Sequence, residues 1–102
     1  MTIKQWKIEL NELKLRLRVE LLSGNGKRLI ECCAGLYILK RSGISKGVWF
    51  EEEEVLLNNL ESFLTKNRDV NLKSLCRTKE ERQKLVSMIF GEERVNEGEN
   101  GL

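Results

Sequence analysis

Apolar and polar residues alternate most sharply near the start of the chain. In Leu13-Lys14-Leu15-Arg16-Leu17-Arg18-Val19-Glu20-Leu21, five apolar residues interleave with four charged ones. Period two places all five on one face of a β-strand and Lys14, Arg16 and Arg18 on the other. Residues 2–10 show the same period, with Trp6, Ile8 and Leu10 on one side and Gln5, Lys7 and Glu9 on the other. A rival period is present. Ile3, Trp6, Leu10, Leu13 and Leu17 are spaced 3-4-3-4, a helical seam. That seam leaves Ile8, Leu15, Val19 and Leu22 outside it, whereas a strand accounts for every apolar residue from 13 to 21. The pattern therefore favours strands over residues 2–22, with an all-helical bundle as the weaker option.

Ser23-Gly24-Asn25-Gly26 is a turn signal, because Gly and Asn accept positive φ. Lys27 to Cys33 reads as a returning strand, Gly35 as an interruption, Leu36–Leu39 as a short apolar run and Ile44–Phe50 as a last strand. Periodicity then changes. Leu56, Leu57, Leu60, Phe63 and Leu64 form a helical stripe behind four acids, Glu51–Glu54, which suit a helix N-terminus. After a break at Asn67-Arg68-Asp69, Leu72, Leu75 and Cys76 suggest one helical turn. Thr78 and Glu81 make a capping box that opens a helix ending near Phe90, before Gly91. The expectation is an α+β domain over residues 1–90. An antiparallel meander of four to five strands (2–50) packs on one helix (51–65), and a second helix follows (78–90). Residues 92–102, rich in Glu, Asn and Gly, together with Gly91, read as a disordered acidic tail over 91–102.

Composition narrows the function classes. The chain has 102 residues, one small domain's worth, and contains no His and no Pro. Without His there is no Ser-His-Asp or Cys-His machinery. Asp69 is the only Asp, so D-x-D metal motifs are absent, and the three cysteines include the adjacent pair Cys32-Cys33. No catalytic residue, metal site or cofactor is expected, and the three thiols read as small buried residues in a reducing compartment. No apolar stretch is long enough for a membrane span, and the N-terminus has no apolar signal region. The expected location is intracellular, cytoplasm or nucleus.

Charge adds a positive hint. The net +2 divides into +6 over residues 1–50 and −4 over residues 51–102. On a strand, Lys14, Arg16 and Arg18 would stand roughly 7 Å apart, close to the phosphate spacing of an extended single strand. Lys27, Arg28, Lys40, Arg41 and Lys46 lie near the turns of the expected sheet, and Tyr37 and Trp49 are candidate stacking platforms for bases. These ten residues define a candidate nucleic-acid face. An exposed sheet edge also points to a homodimer.

The element order resembles that of Whirly proteins and PUR repeats. The most similar stretch is Lys40-Arg41-Ser42-Gly43-Ile44-Ser45-Lys46-Gly47-Val48-Trp49-Phe50 running into Glu51–Leu57. The resemblance covers residues 2–65. It implies a curved antiparallel sheet followed by a helix, dimeric assembly, and single-stranded DNA or RNA as ligand in transcription or genome maintenance. The function expected is nonspecific single-strand binding through the phosphate backbone. The alternative is a protein-interaction or dimerisation adaptor with no nucleic-acid ligand.

Overall fold

A computed structural model describes residues 1–24, 26–67 and 77–91. The described chain forms four helices: α1 (Ile3–Ser23), α2 (Gly26–Lys46), α3 (Glu51–Lys66) and α4 (Lys79–Phe90). No strand occurs among the described residues. The fold is all-α, so the expected α+β meander over residues 2–50, and the curved sheet implied by the Whirly and PUR resemblance, is corrected to two antiparallel helices. The turn expected at Asn67–Asp69, the helical turn at Leu72–Cys76 and the tail 92–102 fall wholly or largely outside the described residues.

Most of the helix ends have a local cause. Thr2 caps α1: its Oγ1 accepts from the Gln5 N–H at 3.1 Å, and Gln5 Oε1 accepts from the Thr2 N–H at 3.3 Å. Gly24 closes α1 at φ 77°, and its N–H donates to the Glu20 carbonyl. The turn signal at residues 23–26 therefore marks a true reversal, between helices and not strands. At the end of α2, Gly47 has φ 72° and Val48 N–H donates to the Gly43 carbonyl at 2.9 Å, a Schellman closure. In α3, the buried Glu53 carboxylate accepts from the Phe50 N–H at 2.9 Å. In α4, Thr78 Oγ1 accepts from the Glu81 N–H at 3.1 Å, and Gly91 ends the helix at φ 72°.

The helices close a ring of contacts: α1 on α2, α2 on α3, α3 on α4, and α4 back on α1. Their inner faces supply one core. Trp6, Leu10, Leu17 and Leu21 come from α1, and Leu29, Cys32, Leu36 and Leu39 from α2. Leu56, Leu57, Leu60 and Phe63 come from α3, and Leu85, Val86 and Ile89 from α4. The α2 set is a 3-4-3 heptad seam, extended to Gly43 by one more step of four.

That seam explains why residues 27–46 are helical despite two internal glycines. Gly35 and Gly43 face α1 and let the two helices come close. A Cβ on Gly43 would lie 2.5 Å from Trp6 Cζ2, and one on Gly35 would lie 3.2 Å from Leu13 Cδ2. Trp6 fills the space over Gly43 and donates from Nε1 to the Leu39 carbonyl at 2.8 Å. Its ring meets Trp49 edge-on, with centroids 6.4 Å apart.

Alanine normally stabilises a helix interior by about 1 kcal/mol relative to glycine. At Gly43 the sign should reverse. Gly43→Ala must displace the buried Trp6 ring, so it should destabilise by about 1–3 kcal/mol in urea unfolding. Gly35→Ala meets only a flexible leucine end and should lie within about 1 kcal/mol of the parent. Equal effects at the two sites would contradict this packing.

Candidate interaction surface

The ten residues of the expected nucleic-acid face are spread over α1, α2 and the segment between α2 and α3. Successive helical residues turn by about 100°, so Arg16 lies about 160° around α1 from both Lys14 and Arg18. Lys14 turns towards α3, 3.9 Å from the Glu52 carboxylate. Arg18 covers the Phe90 ring, 4.1 Å from its centroid, and ties α1 to α4. Arg28 lies 3.9 Å from the buried Glu20. Lys40 pairs with Glu54 at 2.9 Å. Trp49 is half-buried against the core and donates from Nε1 to Glu54 Oε1 at 2.8 Å. Arg16, Lys27, Tyr37 and Arg41 are exposed and Lys46 is half-buried, spread along α1 and α2. The strand-based row of cations is thus replaced by separate contacts that join helices.

Glu54 is the hub of one such contact. The Trp49 indole N–H and then the Lys40 ammonium hydrogen-bond to its carboxylate and hold its pKa below the ordinary 4.5. A lowered carboxylate pKa stabilises the folded state above the ordinary value and ceases to do so as pH falls through the folded one. Glu54→Gln should therefore lower thermal stability at pH 7 and flatten its decline below pH about 4.5. Parallel melting curves for parent and variant across that range would refute the assignment.

No group of three potential metal ligands occurs among the described residues. Burial pushes the thiols of both Cys32 and Cys33 up, so neither is a ready thiolate at neutral pH. Between α2 and α3 lies an open groove of about 600 Å³, lined mainly by Leu29, Ile30, Cys33, Ala34 and Leu64, with Glu61 and Lys27 at its edge. No described helix is long and apolar enough to cross a membrane.

What the structure does bring together is apolar and faces outwards. Ile8, Leu15 and Leu22 recur every seventh residue of α1, and Val19 falls beside them. They lie on the side opposite Trp6, Leu10 and Leu17. Their exposures are 48% (Ile8), 64% (Leu15), 60% (Val19) and 38% (Leu22), where a core leucine has 0% (Leu17). The row runs about 21 Å along the helix. Glu12 interrupts it, Glu9 and Arg16 flank one side, and Lys4 and Asn11 flank the other. A second exposed row of the same length but with three members, Ile30, Tyr37 and Ile44, lies on α2.

The sequence contained the signal for the α1 row. Ile8, Leu15, Val19 and Leu22 are the residues left outside the helical seam. Once α1 is a helix, that remainder is a second seam. Comparison with family models, with curated proteins and with solved structures finds no match to this chain.

Proposed function

We propose that this chain is a helical protein-interaction module and that the outer face of α1 is its docking surface. One observation carries the reading: four large aliphatic side chains, interrupted only by Glu12, line up on the face of α1 turned away from the core. Isolated exposed leucines are ordinary, but aligned ones rimmed by charge mark sites where another helix packs. Removing such a row from water is worth about 25 cal/mol per Å² of apolar surface. The observation that favoured a nucleic-acid ligand, three cations in line on a strand, has no counterpart on α1.

A photo-crosslinking amino acid at Leu15, introduced in the cells that make the protein, tests this. It should give a covalent protein adduct, and the same residue at exposed Lys79 on α4 should not. Adding Val19→Glu should abolish the adduct with no change in helical circular dichroism, because the site is exposed and its effect on stability should stay near ±0.5 kcal/mol. Absence of an adduct at Leu15 would sink the reading. So would oligonucleotide binding at ~50 mM salt that weakens steeply as salt is raised.

A further inference from the structure

We infer that the partner of this face is a second copy of the chain, with the two α1 helices antiparallel about a twofold axis. The inference rests on α1 being a docking face and adds what occupies it.

Self-complementarity is the first argument. A twofold contact sets one patch against itself. With the axis between Glu12 and Leu15, Ile8 faces the partner's Val19, and Leu22 faces the partner's Gln5. Leu15 faces the partner's Glu12. Glu9 then stands beside the partner's Arg16, and Arg16 beside the partner's Glu9. Both pairs fall on the same flank. On the other flank Asn11 stands beside the partner's Arg18. Neither Glu9 nor Arg16 is in an ion pair among the described residues, and both are exposed. No ion pair among the described residues has to be broken for them to pair across the axis.

Direction follows from Glu12. In a parallel, in-register pair it would meet the partner's Glu12 within the apolar seam, two like charges out of water. In the antiparallel pair its stem covers the partner's Leu15, and its carboxylate lies near the partner's Arg16. Antiparallel alignment also sets the two helix dipoles head to tail.

Size sets the strength. A row about 21 Å long and about 10 Å wide is well short of the ~800 Å² per partner of a standard stable interface. The dimer is therefore a weak, concentration-dependent one, and its two symmetric ion pairs decide whether it forms.

Charge reversal tests this directly. In sedimentation equilibrium the parent should be a reversible dimer. Glu9→Arg and Arg16→Glu should each weaken dimerisation at least tenfold, because each sets like charges together twice. An equimolar mixture of the two variants should dimerise more strongly than either variant alone, since both Glu–Arg cross pairs are restored, and native mass spectrometry of the mixture should show the mixed species. Unchanged circular dichroism controls for folding. A parent that stays monomeric up to about 1 mM overturns the inference, as does a mixture no stronger than either variant alone. If the Leu15 adduct contains a different protein and the chain is monomeric, the docking face stands and the homodimer falls. If Leu15 gives no adduct at all, both fall.

Discussion

The seat of Trp6 on α2 is the contact on which the rest of the bundle depends. The indole lies over Gly43, where even a methyl group would collide with it, and its N–H reaches the Leu39 carbonyl one turn earlier. Three things follow from one side chain. The α1–α2 pair is held at close approach. The polar atom of a fully buried tryptophan is satisfied. The outer edge of the ring is offered to Trp49, which brings the chain after α2 back against the core. Trp49 in turn reaches Glu54, and Glu54 reaches Lys40, so the start of α3 is tied to α2 by hydrogen bonds that begin beside Trp6.

With the bundle closed in this way, only one side of α1 can be buried. Leu17 and Leu21 go inside, while Leu15 and Val19 are left in water two residues away. The charges follow the same geometry. Lys14 and Arg18, on the α3 and α4 side, make contacts that join helices, whereas Arg16 remains at the surface beside the outer row. A stretch that reads as a cationic strand becomes a helix with a dry inner seam and an apolar outer one. Among the described residues the second seam contributes nothing to the core, and this is the physical ground for proposing a partner there.

Parts of this were legible in advance. The stripe Leu56–Leu64 behind Glu51–Glu54, and the Thr78–Glu81 box before Leu85–Phe90, lie where α3 and α4 form. The first helix carried an equivalent signal, the Thr2–Gln5 capping box, which period-two alternation obscured. In α2, Gly35 reads as a break and Cys32 as a strand end, although with Leu29, Leu36 and Leu39 they belong to one helix. Glycine is an interruption when only its propensity is considered and an asset when a neighbouring helix must come close. The candidate site suffered most, because the row Lys14, Arg16, Arg18 exists only if the backbone is extended.

The amino-acid sequence by itself determined the ends of the helices and the amphipathic stripes of α3 and α4. Caps, left-handed glycines and a single apolar face act within a turn or two of the residues that specify them. Tertiary structure alone decided the state of residues 13–21 and which side of α1 faces inwards. Alternating leucine and charge is compatible with 180° per residue on one face or 100° per residue on two, and nothing within residues 13–21 separates the two. The choice falls to burial against residues far along the chain, at Leu39, Gly43 and Phe90.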